Sequence, residues 1–375
     1  MSTAKKVVFL SAYHDYRTAK RASIHQVARA TANLGHDVSF VSMRFSHLSK
    51  WKGDSRLALA DRSNRIELAD GIKCYLWRTL LHPFASNNGI LNAAMGTLFK
   101  LYAQTPNQTV DRFLSTADYV IIESSVAAIF VRRIHRLNPR AHIIYYATDL
   151  LDTVGAHPFI QRQLEKDGAL IGHVSMRSPR MMNDFKWAES RRYRAEFGVD
   201  VSEFSEVGHT PYRNEINVVS VGSMLFDASF FDAVAPAFPD IIFHVIGCGM
   251  NFVPPKNVIL YDEMRFRDTL AYLKYATVGV APYRPAPGTE YLADSSLKLA
   301  QFEYFGLPAV CPDFAVGTNK TRCGYRVNDK ESICMALSRA LEMVGKVPPR
   351  QFQTWEDVAA RVLAPKDFAD TAIAS

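Results

Sequence analysis

Ser295, Ser296 and Lys298 have the residue types and the spacing of a site that holds a phosphate group. They open a helical pattern that lies between two short apolar strands within residues 278–312, after a loop rich in proline and glycine. The free backbone N–H groups and the dipole at the start of such a helix favour an anion placed just outside it. Lys298 would add a full positive charge. A capped helix that crosses an α/β sheet without any ligand has the same local pattern, so both interpretations stay open here.

Three further predicted strand ends in this half carry small or polar residues. They are 221–224 (Val-Gly-Ser-Met), 247–250 (Gly-Cys-Gly-Met) and 262–264 (Asp-Glu-Met). In open parallel sheets, ligands bind beyond the carboxyl ends of the strands. A single Gly-x-Gly is weak support for a nucleotide, since such glycines often serve only the turn. Together with residues 278–312, the set predicts a nucleoside diphosphate site in which Glu263 is available for the ribose or the base.

The loop after the first predicted strand has a different character. Residues 11–17 read Ser-Ala-Tyr-His-Asp-Tyr-Arg and lack the Gly-x-Gly-x-x-Gly of a dinucleotide-binding turn. Such a loop is a poor cradle for a pyrophosphate and a fair surface for a sugar. This asymmetry between the two halves argues against an ordinary nicotinamide-dependent dehydrogenase.

Asp149 is the candidate general base of the first half. It ends the apolar strand His-Ile-Ile-Tyr-Tyr-Ala-Thr-Asp, where a carboxylate could take a proton from an alcohol that attacks an electrophilic carbon. The alternative is that Asp149 only caps the helix after it. His14, Asp15 and Glu123 lie near strand ends, whereas His25, on a helical face, is more typical of a core histidine than of a catalyst.

The elements that must position these residues alternate between strands and helices. We predict strands at 7–12, 37–43, 72–79, 119–124, 142–149, 170–175, 217–224, 241–247, 257–263, 278–283 and 308–312. We predict helices at 19–34, 90–104, 125–137, 158–167, 179–187, 229–238, 265–275 and 295–305. Such alternation predicts an α/β protein with parallel sheets and crossover helices, here two doubly wound units that meet near residues 205–216.

Length and composition agree with this division. The chain has 375 residues, more than one core usually supports, and 48% of them are hydrophobic. Its apolar runs are too short to cross a bilayer and its N-terminus does not resemble a signal peptide, so we expect a cytoplasmic protein. The five cysteines are scattered without a Cys-x-x-Cys pair, which favours a reducing compartment over a disulfide framework or a zinc site.

Positive charge is concentrated in the first third. Residues 1–110 contain 15 Lys or Arg against 6 Asp or Glu, whereas the whole chain has 44 against 37. Aromatic and apolar residues are interleaved with it at 44–45, 50–52 and 56–57, and the apolar stretch 90–103 follows. This combination favours an anionic membrane surface. Single-stranded nucleic acid is the rival partner, and a solvated surface over a core helix is the commoner alternative for any one such stretch.

The motifs now gathered, taken in order along nearly the whole chain, resemble the xanthan-pathway glucuronosyltransferase (GumK-like) family. They are 21–25 (RASIH), 74–79 (CYLWRT), 146–149 (YATD), 221–227 (VGSMLFD), 244–250 (HVIGCGM), 261–264 (YDEM), 281–283 (APY) and 291–312. The resemblance implies the GT-B fold, with two Rossmann-like doubly wound domains. It also implies an inverting enzyme without metal or cofactor, peripheral at the cytoplasmic face of the inner membrane. Such an enzyme transfers glucuronic acid from UDP-glucuronate to a mannose of a polyprenyl-diphosphate-linked oligosaccharide in exopolysaccharide biosynthesis, and has no nucleic acid partner.

The same resemblance assigns roles and boundaries. It places Asp149 as the general base, and it places on the diphosphate the residues Tyr283, Ser295, Ser296 and Lys298. On the nucleoside side it places Met224, Glu263, Met264 and Gln301, and Gln301 stands where many retaining relatives have a glutamate, which favours inversion. An acceptor- and membrane-binding domain is expected at 1–205, with a C-terminal helix 352–375 packed back on it, and a nucleotide-sugar-binding domain at 206–351.

Two loops depart from the family pattern, and two other classes of protein stay open. The loops at 210–212 and 284–290 differ, which leaves the donor sugar and the acceptor less defined than the fold, so a transferase that uses another UDP-sugar is an alternative. A sugar-nucleotide epimerase of the same fold needs no lipid acceptor, and the basic first third argues against it. A non-enzymatic protein that binds nucleotides or nucleic acid would explain the charge, but it would leave Asp149 without a role.

Overall fold

The structure of the protein is a computed structural model that describes residues 3–18, 21–51, 54–86, 89–213 and 216–373. The chain forms two compact units. Unit 1 comprises Met1–Glu196 and Trp355–Ser375, and unit 2 comprises Phe197–Thr354. The sequence placed the corresponding boundaries at 205/206 and 351/352.

Unit 1 contains one eight-stranded sheet. Its strands are β1 (Lys6–Ser11), β2 (Asp37–Phe45), β3 (Ile66–Ala69), β4 (Ile72–Arg78), β5 (Tyr119–Glu123), β6 (His142–Ala147), β7 (His173–Met176) and β8 (Arg192–Arg194). The strand order is β3-β4-β2-β1-β5-β6-β7-β8, and every neighbouring pair is parallel except the hairpin β3–β4. The central strands are buried on both faces, as β1 illustrates with five consecutive buried residues. The order reverses at β1, which defines the doubly wound topology.

Helices cross between these strands. They are α1 (Ser23–Asn33), α2 (Leu48–Trp51), α3 (Gly89–Gln104), α4 (Gln108–Ser115), α5 (Val131–Leu137) and α6 (Pro158–Lys166). The predicted helix at 179–187 is wrong as a regular α-helix, because Pro179–Arg191 is a 3-10 segment interrupted at Phe185 and at Glu189, whose φ is 47°.

Unit 2 contains a smaller parallel sheet. The strands of unit 2 are β9 (Gly198–Val199), β10 (Asn217–Val221), β11 (Ile242–Ile246), β12 (Val258–Tyr261), β13 (Val278–Val280), β14 (Ala309–Pro312), β15 (Arg322–Tyr325) and β16 (Gln353–Thr354). Six of them pair in the order β12-β11-β10-β13-β14-β15, while β9 and β16 form a separate parallel pair. The α/β class with two doubly wound units, predicted from the sequence, is confirmed.

The helices of unit 2 lie between its strands, and α12 shows how one of them packs. They are α7 (Val201–Ser205), α8 (Ser229–Ala237), α9 (Phe266–Lys274), α10 (Leu292–Ser295), α11 (Leu297–Tyr304) and α12 (Lys330–Glu342). In α12, Ile333, Ala336, Leu337 and Ala340 are buried at the spacing of one helical face. Asp329 caps this helix by accepting the Ser332 N–H at 2.9 Å.

The last helix, α13 (Trp355–Leu363), belongs to unit 1 and packs on α1. Trp355, Val358, Ala359 and Val362 form its buried stripe. The His173 Nε2 atom lies 3.0 Å from the Val362 carbonyl oxygen, which ties the end of α13 to the start of β7. Residues that follow unit 2 in the sequence therefore complete the core of unit 1.

Apolar side chains are exposed in the basic first third. Leu80, Leu81 and Leu101 are 85%, 58% and 59% exposed. The predicted basic segment 50–52 lies outside the described side chains. Among the described residues, no helix combines the length and the apolarity that crossing a bilayer would require.

Gly279 sets the distance between β13 and α11. A Cβ atom at this position would lie 2.4 Å from the Phe302 ring, in a core that has no room to yield. We expect Gly279→Ala to lower the stability of unit 2 by about 1–3 kcal/mol and to lower the thermal unfolding midpoint. Gly96→Ala in α3 is the matched control, because its nearest neighbour would be 3.9 Å away. An equal effect of both substitutions on the midpoint would contradict this account of the packing.

Candidate active site

Lys298 is a buried amine without a hydrogen-bond partner. It lies in the first turn of α11, it is only 8% exposed, and its Nζ atom finds no acceptor among the described residues. The amine stands 5.2 Å from the centre of the Tyr283 ring, a cation–π distance. Burial lowers the pKa of Lys298 to about 7. Since an unpaired buried charge is costly, the position favours an anionic ligand that would pair with it.

The start of α11 differs in detail from the prediction. Ser296 is the N-cap, and its Oγ atom accepts the Leu299 N–H at 3.1 Å. Residue 294 and Ser295 lie instead in the short preceding helix α10, so they do not open α11. The Ser295 hydroxyl is buried and, like the Lys298 amine, has no partner among the described residues. Two polar groups without partners therefore lie three residues apart at one helix start.

Tyr283 links this helix start to the sheet. Its hydroxyl lies 2.5 Å from Ser296 Oγ, and its backbone forms an isolated antiparallel bridge with Phe226. Tyr283 lies three residues beyond β13 and is 3% exposed. The structure thus brings Tyr283, Ser296 and Lys298 into one contact group, as their predicted shared role requires.

The residues predicted for the nucleoside side follow neighbouring strands. Met224 comes after β10, and Glu263 and Met264 come after β12, at the same carboxyl edge as Tyr283. Met224 and Glu263 are exposed and Met264 is half-buried, whereas Gln301 is buried within α11. Their roles in binding stay predictions.

Two glycines let the loops of this edge approach one another. A Cβ atom on Gly249 would lie 2.9 Å from Ser223 Cβ, and one on Gly247 would lie 3.4 Å from Glu263 Cα. Both glycines have positive φ, 61° and 70° respectively for Gly247 and Gly249. The two glycines therefore serve the turn and the close approach of the loops, a role that glycines at strand ends often have without any nucleotide.

Asp149 lies two residues beyond β6 and is half-buried. The alternative role as cap of the next helix is wrong, because α6 is capped by His157, whose Nδ1 atom accepts the Phe159 N–H at 3.0 Å. The position of Asp149 at the carboxyl edge of the unit 1 sheet is the one that the base hypothesis requires.

Glu123 is a buried carboxyl group at the end of β5. It accepts a short hydrogen bond from the Ser11 hydroxyl, and its Oε1 atom lies 3.6 Å from His14 Nε2. Burial, with a smaller contribution from the charge of Asp149, raises the pKa of Glu123 to about 8. The sequence marked this glutamate only as a residue near a strand end. A carboxyl that closes an otherwise apolar strand was the available signal.

Arg177 is the residue that the sequence analysis missed. It follows β7, it is 2% exposed, and its guanidinium donates to the Ala195 and Glu196 carbonyl oxygens and to the Tyr146 hydroxyl. Burial lowers the pKa of Arg177, and the charge of Asp149 acts in the opposite direction. Carboxylates and a guanidinium thus follow β5, β6 and β7 at one edge.

The other titratable residues singled out in the first half have structural contacts. Asp15 pairs with Arg17 at 2.9 Å, and Arg17 also contacts Glu67 at 2.6 Å. His25 is buried, its Nδ1 atom accepts the Ala22 N–H at 3.0 Å, and its ring packs near Phe40. These contacts agree with a core position for His25.

Comparisons with known proteins define the class first. The chain is similar in structure to the UDP-forming α,α-trehalose-phosphate synthase of Burkholderia xenovorans, with a TM-score of 0.60 at 11% identity, covering 96% of each chain. It is also similar to the sucrose-phosphate synthase of Thermosynechococcus elongatus, with a TM-score of 0.58 at 12% identity, covering 96% of this chain and 94% of that one. The fold is therefore GT-B, the fold of these glycosyltransferases.

The family follows from the sequence comparisons. The profile of the N-terminal domain of glucuronosyltransferase GumK matches residues 9–177. The UDP-glucuronate:glycolipid 2-beta-glucuronosyltransferase of Xanthomonas campestris pv. campestris is 38% identical over 361 residues, which cover 96% of this chain and 89% of that protein. The chain belongs to the GumK glucuronosyltransferase family, as the motifs indicated.

The raised pKa of Glu123 predicts how stability depends on pH. The folded state holds this proton more tightly than the unfolded state, whose pKa is near 4.5. The contribution to stability is therefore complete below pH 4.5 and is lost as the pH rises to about 8. We expect Glu123→Gln to remove this dependence, so that its free energy of unfolding relative to wild type rises by about 2–5 kcal/mol between pH 4.5 and 8.5.

Denaturant unfolding at several pH values measures this difference. Asp118→Asn, a substitution of an exposed carboxylate in the same unit, is the control. Parallel pH profiles for wild type and Glu123→Gln would contradict the shifted pKa.

Proposed function

We propose that the protein transfers glucuronic acid from UDP-glucuronate to a mannose of a polyprenyl-diphosphate-linked oligosaccharide during exopolysaccharide biosynthesis. The observation that carries the proposal is the 38% identity, along nearly the whole chain, to a protein named as a UDP-glucuronate:glycolipid 2-beta-glucuronosyltransferase. The geometry of unit 2 supports a diphosphate-containing donor, because Lys298 is a buried amine without a hydrogen-bond partner among the described residues, which an anion would charge and pair with. The geometry of unit 1 supports a base at the end of β6.

In the proposed reaction, Asp149 takes the proton from the acceptor hydroxyl. The oxygen then attacks the anomeric carbon, and the bond between that carbon and the diphosphate oxygen breaks, so that its electron pair leaves with UDP. The glucuronic acid of UDP-glucuronate is α-linked to the diphosphate. The relative's name states a β-linked product, and this change of linkage corresponds to inversion. Direct displacement with a single base gives this stereochemistry without a covalent intermediate.

The departing diphosphate needs to be stabilised by positive charge, which residues of the chain itself would supply. Lys298, the Ser296 and Ser295 hydroxyls and the start of α11 would bind the phosphate oxygens. Tyr283 would hold Ser296 in place through their 2.5 Å contact. Met224, Glu263, Met264 and Gln301 would contact the nucleoside. No metal ion or cofactor is part of this proposal.

We further propose that the enzyme works at the cytoplasmic face of the inner membrane as a peripheral protein. A lipid-linked acceptor lies in the bilayer, so its transferase must reach the headgroup region. The exposed Leu80, Leu81 and Leu101 belong to the basic first third and are suited to shallow insertion, while Lys and Arg residues would contact anionic headgroups.

The test is transfer of radiolabel from UDP-glucuronate or UDP-glucose to a lipid-diphosphate oligosaccharide extract, with EDTA present. We expect label in the lipid fraction from UDP-glucuronate only. Asp149→Asn should lower the rate by about 10²- to 10⁴-fold and leave UDP binding unchanged, because only the proton acceptor is lost.

Each other outcome removes a defined part of the proposal. Transfer from UDP-glucose alone would reassign the donor, and loss of activity in EDTA would remove metal independence. Turnover retained in Asp149→Asn would remove Asp149 as the base. UDP binding without transfer from either donor would favour the epimerase.

Lys298 predicts that UDP binding takes up a proton. At pH 8 its amine is mostly neutral in the free protein, and an adjacent diphosphate would raise its pKa. We expect an uptake of close to one proton per UDP, measured by titration calorimetry in buffers of different ionisation enthalpy. Lys298→Arg should bind UDP without this uptake, because a guanidinium is already charged.

Lys346→Arg, at an exposed position of the same unit, is the matched control and should keep the uptake. Equal uptake by wild type and Lys298→Arg would show that the proton goes elsewhere.

A further inference from the structure

A cavity of about 530 Å³ lies in unit 1, at the edge of the sheet opposite to Asp149. It is bounded by the amino-terminal starts of β5, β6, β7 and β8 and by the segment that follows α13. Its volume is within the range of sites for small molecules. None of the residues assigned to the proposed transfer reaction lines it.

One wall of the cavity is a row of four rings. Tyr119, His142, His173 and Tyr193 stand near the starts of four successive parallel strands. The register pairs Tyr119 with His142, Ile144 with His173 and Ser175 with Tyr193, so all four rings project from one face of the sheet. The centres of neighbouring rings are 5.8, 5.0 and 5.5 Å apart. Neighbouring rings are tilted or edge-to-face, with interplanar angles of 70°, 43° and 88°, so a planar ring in a ligand would stack on the face of a single ring of this wall.

Hydrogen bonds fix the two central rings. His173 Nε2 donates to the Val362 carbonyl oxygen at 3.0 Å, so its Nδ1 atom must accept from His142 Nε2, at 2.8 Å. Burial lowers the pKa of both histidines, that of His173 to about 3. Gly172 allows this arrangement, because a Cβ atom there would lie 2.3 Å from the His142 ring. The two central rings are therefore held in place and uncharged at neutral pH.

The positive charge of the cavity comes from lysine and arginine. Lys5, Arg140, Arg191 and Lys366 line it, against two carboxylates, Asp118 and Asp367. Within the described part of the chain, no carboxylate forms an ion pair with any of the four cations. Asp118 is already engaged, since it accepts the Lys6 N–H at 2.8 Å.

Arg191 is the fixed member of this group. Its guanidinium donates to three carbonyl oxygens, those of Gly168 and Trp187 at 3.3 Å and that of Ile171 at a shorter distance. Carbonyl oxygens orient a guanidinium without neutralising its charge. Arg140 and Lys366, both exposed, add mobile cations at the rim. An anion in the cavity would thus meet one positioned and two adaptable cations.

We propose that this cavity is a second ligand site, which binds a nucleotide by stacking its base on the ring wall and pairing its phosphates with Arg140, Arg191 and Lys366. The ligand would also contact the segment 363–367 and so stabilise α13 on unit 1. This site is independent of the proposed donor site, which lies in unit 2.

The test uses the full chain and ATP, which is not a sugar donor. We expect calorimetry to detect ATP binding that is at least ten-fold weaker in the double variant Arg140→Glu/Lys366→Glu. The matched control, Arg136→Glu/Lys166→Glu, makes the same charge change at exposed positions of unit 1 outside the cavity and should keep the affinity. Saturating UDP should leave ATP binding unchanged, because the donor site is separate.

Two further arms complete the test. Photolabelling with 8-azido-ATP should modify the peptides that carry Tyr119 or Tyr193, and pyrophosphate should bind at least ten-fold more weakly than ATP. Absence of ATP binding at millimolar concentration, or equal losses in both double variants, would overturn the site. Pyrophosphate binding as tight as that of ATP would overturn the role of the ring wall and with it the assignment to nucleotides.

Discussion

A parallel sheet brings the carboxyl end of every strand to one edge, and both units of this protein depend on that constraint. In unit 2, β12, β11, β10 and β13 are consecutive neighbours, so four loops that are distant in sequence meet beside the start of α11. Backbone hydrogen bonds then tie them, such as Asp227 N–H to the Pro282 carbonyl at 2.9 Å and Gly247 N–H to the Tyr261 carbonyl at 3.0 Å. The order of the strands and these backbone hydrogen bonds thus position the loops of the candidate donor site.

The chain pairs several of its buried charges with an opposite charge, which makes Lys298 and Glu123 informative. Glu303 contacts both Arg322 and Arg350, the former at 2.5 Å and the latter at 3.0 Å. Among the described residues, no carboxylate pairs with Lys298 and no lysine or arginine pairs with Glu123. Burial lowers the pKa of Lys298 and raises that of Glu123, and both shifts favour the neutral form of the side chain. Both lie at carboxyl edges, where a ligand can supply what the protein does not.

The fold could be predicted from the sequence because its signals are local. Apolar runs such as 119–124 and 142–149 become β5 and β6, and Asn138-Pro139 marks the turn before β6. The short strand β3 was missed because Ile66–Ala69 is half exposed and its pattern is weak, and β15 was missed because Arg322 and Gly324 interrupt its apolar residues.

The sequence predicted that Tyr283, Ser296 and Lys298 come together, and it did not predict their electrostatics. The types and order of Tyr283, Ser296 and Lys298 are visible in the sequence, whereas the missing partner of the Lys298 amine depends on how other segments, such as that of Tyr283, pack around it. For the same reason the role of Arg177 could not be found, because its acceptors come from β6 and from the chain after β8. Pairings between distant segments have no local pattern.

The return of α13 to unit 1 has a consequence for how the protein is made. During synthesis the ribosome completes all of unit 2, Phe197–Thr354, before Trp355 appears. Until then the face of α1 that receives α13 stays uncovered, and His173 lacks the Val362 carbonyl. Closing so long a loop is entropically costly, and domains otherwise fold as they emerge. The second unit in the sequence can therefore finish folding first, while the first waits for its last helix.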